Sequence, residues 1–368
     1  MNRILLLNHY QPPDRAPTGR LLAELGEMLA ELGWEVELID GAAGDYQRRK
    51  GSRSLGYLLA HLRLFFRGLR ARRAEVILCL TDPPCLLLTA RILAKIKGAR
   101  LAHWVMDLYP DLAIALGEIP KNRCSQVLGE WVANATGEAD LLVALDEDMA
   151  DRIGTDKVIA PWVERGMEIP SEPALLKHPD EKFVWLYSGN LGRAHEWRTL
   201  LEAQSILESQ ELPHRLVFQG GGAGTQEAEA VSREMGLQRV EFRDYAPAAE
   251  FVHSLLAASA HVVSLQPELK GMLWPSKLAL LLHLPRPIFW VGTTECAPAR
   301  EIAGRTDGSA SIPLGDARKL AASLAKIASR KPLGSYSENR LTPEDERIRG
   351  GRLFHDWLLA ICPAERQE

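Results

Sequence analysis

Cysteine is scarce in this sequence: five occur among 368 residues, Cys79, Cys85, Cys124, Cys296 and Cys362. Their number is odd, they are scattered, and none forms a C-x-x-C pair or stands at zinc-ligand spacing from a histidine. Neither a disulfide framework nor a metal site is therefore expected, and the thiols read mostly as reduced core filler. No cofactor is expected either. Long apolar runs are missing too: no stretch of about 18 uninterrupted apolar residues occurs, so no membrane span is expected. The opening residues, MNRILLLNHY, are too short and polar for a signal peptide, which points to the cytoplasm. Nucleic acid is not an expected partner, because the formal net charge is -4 and no recognition motif accompanies the basic residues. One absence is local. Between Tyr46 and Arg73 no acidic residue stands among Arg48, Arg49, Lys50, Arg53, Arg63, Arg67, Arg70, Arg72 and Arg73.

At this length, with 46% hydrophobic and 25% charged residues, the chain outgrows a single core and is expected to form two domains. Apolar strands and helical periods alternate from the start. Ile4 to Leu7 is followed by a helix with Leu21, Leu22, Leu25, Met28, Leu29 and Leu32 at helical spacing, Thr18 as N-cap and Gly33 as C′ residue. Further strands are expected at Val36 to Ile39, Val76 to Leu80, Arg100 to Met106 and Leu141 to Leu145. The stretch WVERGMEIPSEPALLKHPDEKF, from Trp162, breaks the pattern and reads as a linker. Alternation resumes with Phe183 to Tyr187, Leu216 to Gln219, Val240 to Phe242, His261 to Leu265 and Ile288 to Val291. The fold class is α/β: two doubly wound parallel sheets, which bind ligands beyond the carboxyl ends of their strands and would make a cleft where they face each other.

Four loops at those ends carry unusual chemistry. In HYQPPDRAPTGR, residues 9 to 20, Gly19 would open a helix N-terminus to a phosphate or sugar; the alternative is a plain turn built by Pro12, Pro13 and Gly19. In HWVMDLYPD, His103 and the carboxylates Asp107 and Asp111 follow a strand. In YSGNLGRAHEW, Gly189 and Gly192 allow close approach of a ligand and Arg193 adds a forked cation before a helix, a combination suited to anions. The glycines of QGGGAG, from Gln219 to Gly224, are less telling. In LWPSKLALLLHLPRP, Pro275 suits a first helical turn, Ser276 offers a hydroxyl and Lys277 a point charge.

These segments together resemble bacterial glycosyltransferases of family 4, in the branch that makes cell-surface polysaccharides. The resemblance rests on LNHYQPPDRAPTGRLLAELGEMLAELGWEVELI, DLYPD, YSGNLGRAHEWRTLL and WPSKLALLLHLPRPIFWVG, in that order, and spans residues 4 to about 292. It implies the GT-B fold: an acceptor domain over residues 1–165, a linker over 166–182 that lets the domains close, a nucleotide-sugar domain over 183–342, and a helix over 343–368 returning to the first domain. It implies a retaining transfer without a metal ion. Asp107, Arg193 and Lys277 become the candidate catalytic residues, with the two cations on the donor diphosphate. Gly19, Arg20, His103, Gly189, Asn190, Gly192, Gly221, Pro275 and Ser276 become candidate substrate contacts. The sequence departs from the family at Leu280, where a glutamate usually holds the ribose hydroxyls, and at His283 and Pro285.

LGYLLAHLRLFFRGLRARR, residues 55 to 73, sets Leu55, Leu58, Leu59, Leu62, Phe65, Phe66 and Leu69 on a broad apolar side against Arg63, Arg67 and Arg70. Such a helix suits an anionic membrane surface and a lipid-linked acceptor, with Arg63, Phe66, Arg67 and Arg70 as its contacts; the other reading is an ordinary helix packed on the sheet. The expected protein is a transferase working peripherally at the inner membrane face. Two rivals remain, a nucleotide-sugar 2-epimerase and a non-catalytic GT-B subunit, the second suggested by Leu280.

Overall fold

The computed structural model describes residues 2–14, 16–42, 53–167, 169, 183–329 and 341–362. Arg48, Arg49 and Lys50 of the basic stretch, and nearly all of the expected linker, lie outside the described residues. The chain forms two compact units. The first comprises Met1–Arg165, Gly271–Trp274 and Pro343–Glu368, and the second comprises Gly166–Lys270 and Pro275–Thr342.

Unit 1 alternates strand and helix: β1 (Arg3–Asn8), α1 (Pro17–Glu31), β2 (Glu35–Asp40), α2 (Arg53–Arg70), β3 (Val76–Cys79), α3 (Leu86–Lys97), β4 (Arg100–Trp104), α4 (Asp111–Ala115), α5 (Arg123–Gly137), β5 (Leu141–Val143) and α6 (Glu147–Ile153). All strand pairs are parallel and the sheet order is β2-β1-β3-β4-β5. Helices cover both faces of such a sheet, which is why β1, apolar from Ile4 to Leu7, and the wholly apolar β3 are buried throughout. Leu5, Leu7, Ile77, Leu64 and Leu93 share one core on the α2 and α3 side. Thr18, expected as the cap of α1, lies inside that helix. Ala16 holds the cap position and Pro17 the first turn, where its missing N–H costs nothing.

Unit 2 repeats the plan with β6 (Phe183–Ser188), α7 (Arg198–Ser209), β7 (His214–Gln219), α8 (Thr225–Glu234), β8 (Val240–Arg243), α9 (Phe251–Leu256), β9 (Ala260–Ser264), α10 (Lys277–Leu281), β10 (Ile288–Gly292), α11 (Ala297–Ala303), β11 (Ala310–Pro313) and α12 (Ala317–Ala328). Its sheet, again parallel, runs β11-β10-β9-β6-β7-β8. The two parallel-sheet α/β domains read from the sequence are borne out. Residues 271–274 belong to unit 1 although they precede α10: the Leu108 N–H donates to the Met272 carbonyl at 2.8 Å, and Leu273 bridges Asp107.

The last helix, α13 (Pro343–Ile361), lies in unit 1. Phe354 is fully buried with its ring 4.7 Å from that of Trp104, which in turn sits 5.3 Å from Trp162. Gly350 and Gly351 permit this approach, since a methyl group there would come within 2.9 Å of Trp162 and 2.7 Å of Met28. Phe354→Ala should therefore destabilise unit 1 by about 3–5 kcal/mol, read as a lower urea midpoint, while Leu359→Ala on the exposed side should change it little.

Candidate functional site

Each sheet has one place where the strand order reverses, and there the loops diverge and leave a crevice at the carboxyl edge. In unit 2 this point lies between β6 and β9. The loop after β6 holds Gly189, Asn190, Gly192 and Arg193, and it is knitted to the loop after β7. The Gly189 N–H donates to the Gln219 carbonyl at 2.8 Å, the Leu191 N–H to Gly221 at 2.6 Å, and the Gly224 N–H to Leu191 at 2.9 Å. A side chain at Gly220 would overlap the Gly189 carbonyl, and one at Gly222 would meet Asn190 and the Leu191 carbonyl. The glycine run that looked uninformative in sequence is thus required by two loops in backbone contact.

Lys277 lies under this loop. Its Nζ is buried, has no hydrogen-bond partner among the described residues, and stands 3.5 Å from the centre of the Tyr187 ring. A Cβ added at Gly189 would lie 3.6 Å from that ammonium, so the cation faces the glycine backbone directly. Burial lowers the Lys277 pKa to about 7. The Tyr187 face, whose hydroxyl donates to the Asn190 carbonyl at 3.0 Å, offsets part of the desolvation. His195 donates from Nδ1 to the Ser264 carbonyl at 2.6 Å, tying the loop to the end of β9. Burial, and then the Lys277 charge, push its pKa down to about 3, so the imidazole is neutral. Arg193 is exposed on the same loop. Ser276 is exposed at the start of α10, and Pro275 precedes that helix instead of opening it. Leu280, in the place of the family's glutamate, is buried with Leu278 and Leu281. Tyr245, which the sequence did not single out, is 61% exposed with its ring 3.3 Å from where a Cβ on Gly221 would stand.

In unit 1 the reversal falls between β1 and β3, and three residues expected to touch substrate make contacts within the protein. A Cβ at Gly19 would lie 2.9 Å from the Tyr10 carbonyl carbon and closer still to its oxygen, so backbone, not open space, demands the glycine. Arg20 is ion-paired with Glu164. His103 is buried in the sheet and donates from Nδ1 to the Cys79 carbonyl at 3.0 Å; burial lowers its pKa to about 4. Asp107 is half-buried beside a cavity of about 30 Å³, room for water only, lined also by Thr81, His103 and Tyr109. Its pKa rises to about 7, from burial first and then from the charge of Asp82.

On α2 the apolar side divides. Ala60 and Leu64 are buried, while Leu55 is 57% and Phe66 49% exposed, with Leu58, Leu59, Leu62 and Leu69 also outward. Arg67 is spent on the Asp40 carboxylate. Among the described residues no helix is long and apolar enough to cross a membrane, and no cluster of metal-ligand side chains occurs.

No family model matches the chain. It is 25% identical over 326 residues to the glycosyltransferase WbjE of Pseudomonas aeruginosa, covering 79% of this chain and 81% of that one. It is 24% identical over 330 residues to WcaI of Escherichia coli K12, named as a colanic acid biosynthesis glycosyl transferase, covering 76% and 81%. Among solved structures, the lipopolysaccharide outer core galactosyltransferase WaaB superposes with a TM-score of 0.62 at 14% identity, covering 98% of this chain and 99% of that one. The Anabaena protein HepE in complex with UDP-glucose superposes with 0.60 at 14% identity, covering 98% and 97%. Both structures speak for the fold, and the resemblance carried by the four sequence segments is borne out.

Two outcomes follow from this geometry. Gly19→Val should lower the melting temperature, at a cost of about 1–3 kcal/mol, because Tyr10 must move. Lys277→Met should stabilise the unliganded protein. With the folded pKa near 7 and the unfolded value near 10.5, only the unfolded state stays protonated between them, so the wild type gains stability as pH rises through that window. The variant should lack this gain in pH-dependent thermal melts.

Proposed function

We propose that this chain, a glycosyltransferase of GT-B fold, moves a sugar from a uridine-type nucleotide-sugar to a lipid-linked acceptor in cell-surface polysaccharide synthesis, with retention at the anomeric carbon and no metal ion. The observation that carries it is the buried ammonium of Lys277 facing the backbone of Gly189. When the bond between the sugar's anomeric carbon and the diphosphate oxygen breaks, its electron pair goes to the diphosphate. Lys277, with Arg193 on the loop after β6, would neutralise that charge where a metal does so in other enzymes. Among the described residues the buried cation has no hydrogen-bond partner, so a diphosphate would supply what the fold withholds. Leu280 cannot accept from a ribose hydroxyl, and the exposed face of Tyr245 offers a stacking surface for the base instead. HepE, which shares the fold, was solved with UDP-glucose, which supports the donor class.

The acceptor side of the reading rests on α2. The helix is free of acidic residues and shows leucines, Phe66 and arginines outward, a match to an anionic bilayer surface. Arg67 is paired with Asp40, which leaves Arg63 and Arg70 as the arginines to test.

Calorimetry with UDP reads the donor site. Lys277→Ala and Arg193→Ala should each weaken binding by about tenfold or more, and less than additively if both touch one diphosphate. At pH 8 wild-type binding should take up a proton, seen as a dependence of the heat on buffer ionisation, because the anion raises the lysine's depressed pKa. Unchanged affinity in both variants would sink the donor site. Exchanging Arg63 and Arg70 for glutamate should weaken binding to vesicles containing anionic phospholipid, by about 1 kcal/mol or more per site, with loss at high salt. Equal binding to neutral vesicles would sink the membrane reading.

A further inference from the structure

The helix that carries Lys277 is short. α10 runs only from Lys277 to Leu281, so whatever fixes its far end fixes the lysine as well. A helix leaves its last carbonyls without intrahelical donors, and the chain beyond α10 is poor at supplying them, because Pro285 and Pro287 bring no N–H. Two guanidiniums supply them instead. Arg305, from the segment between α11 and β11, donates from Nη1 to the Leu282 carbonyl at 2.9 Å and from Nη2 to the Leu284 and Arg286 carbonyls at 3.3 Å. Arg286 donates from Nη1 to the Pro285 carbonyl at 3.0 Å, and from Nε and Nη2 to the Ala258 and Leu256 carbonyls at 2.7 Å. Arg305 is aimed in turn by Asp307, which accepts from its Nε at 3.0 Å and from its Nη2 at 2.5 Å. Ser309 completes the frame: its hydroxyl donates to Asp307 at 2.6 Å and accepts from the Ile288 N–H, the first of β10, at 2.8 Å. The Arg305 side chain is only 10% exposed. His261, near both cations, adds no third charge, since burial and then the two arginines push its pKa down to about 3.

We infer that Arg305 is a positioning residue for the donor lysine: by gathering the carbonyls beyond the end of α10 it sets the rotation and height of that helix, and so the place of the Lys277 ammonium beneath Gly189. Apolar packing alone does not set these. Leu278, Leu281, Leu282 and Leu284 are buried, but contacts between leucines are non-directional and tolerate a shift of the helix along or about its axis. Directed bonds to a rigid, planar fork do not. The demand on Lys277 is strict, because its ammonium stands 3.5 Å from the centre of the Tyr187 ring and is held there against the pull of water. A helix released at its far end would let the ammonium move toward solvent and away from the glycine loop. The charge of Arg305 is met by Asp307, so its effect on the lysine is geometric. The inference rests on the donor reading above.

Calorimetry with UDP on the full chain tests it through a double-mutant cycle. Arg305→Met should weaken UDP by about tenfold in the wild-type background and by less than about twofold in Lys277→Ala, because a residue that acts through Lys277 then has nothing left to place. Arg305→Lys should lose less than Arg305→Met, and it carries the test if the methionine variant fails to fold; Asp307→Asn should shift affinity in the same direction. At pH 8 the Arg305→Met protein should take up less proton on binding UDP, since a lysine released from burial is already charged in the free protein. Leu324→Ala, in the core of unit 2, is the comparison: it should lower the melting temperature with UDP affinity and proton uptake unchanged. Three results would overturn the inference: equal losses from Arg305→Met with and without Lys277, unchanged affinity in both Arg305 variants, or a loss in Leu324→Ala that matches theirs. Unchanged affinity in Lys277→Ala would instead count against the donor reading itself.

Discussion

A parallel sheet clothed by helices on both faces has nowhere to do chemistry except its ends, and this constraint orders the whole molecule. Strands such as β1 and β3 bury every residue, so they can offer nothing but position. The loops at their carboxyl ends inherit the polar work. Where the strand order reverses, between β1 and β3 in one unit and β6 and β9 in the other, adjacent loops leave in opposite directions and a ligand can reach backbone. Both reversal points are spanned by a histidine, His9 to Asp82 and His195 to the Ser264 carbonyl. The scaffold is one; the electrostatics differ. Unit 2 places there an ammonium with no hydrogen-bond partner among the described residues, and holds the nearby histidine neutral. Unit 1 places two carboxylates there, and burial together with the charge of Asp82 pushes Asp107 up to about 7.

Lys277 is held in its place at a cost in stability. A buried ammonium without a hydrogen-bond acceptor is destabilising, and the Tyr187 ring meets only part of that cost. The glycines opposite keep carbonyls and side chains from closing over the charge. Gly220 and Gly222 hold the two loops in contact, and Gly189 leaves the space beside Nζ free of a side chain.

The strands, the domain class and the anion loop were legible in sequence because each is a local pattern: an apolar run, a helical period, glycines followed by a cation. What local patterns could not show shares another cause. Gly19, Arg20 and His103 were read from their own segments, whereas their fates are set by Tyr10, Glu164 and Cys79, the last two distant in the chain. A glycine beside a helix start has the same spelling whether a phosphate or a carbonyl demands it. The tie between His9 and Asp82 was missed for the same reason. They stand 73 positions apart, and only the pairing of β1 with β3 makes them neighbours. The aspartate before Pro83 was visible, but no spacing rule joins it to a histidine two strands earlier. Tyr245 carried no signal at all, since its meaning comes from the glycine beneath it.

The helix α2 joins the two kinds of evidence. Its period predicts one broad apolar side, and a globular helix would bury that side whole. The fold buries a narrower seam: Ala60 and Leu64 are inside, and Gly68 meets Leu93 so closely that a methyl group would fall 2.7 Å from it. At Gly68 α2 lies close on Leu93 of α3, and six of its large apolar residues stand outward. An apolar surface of that size on a solvated helix is costly to keep, and the arginines interleaved with it limit self-association without hiding it. The helix packs with its narrow seam, at Ala60, Leu64 and Gly68, and leaves its broad apolar side turned outward.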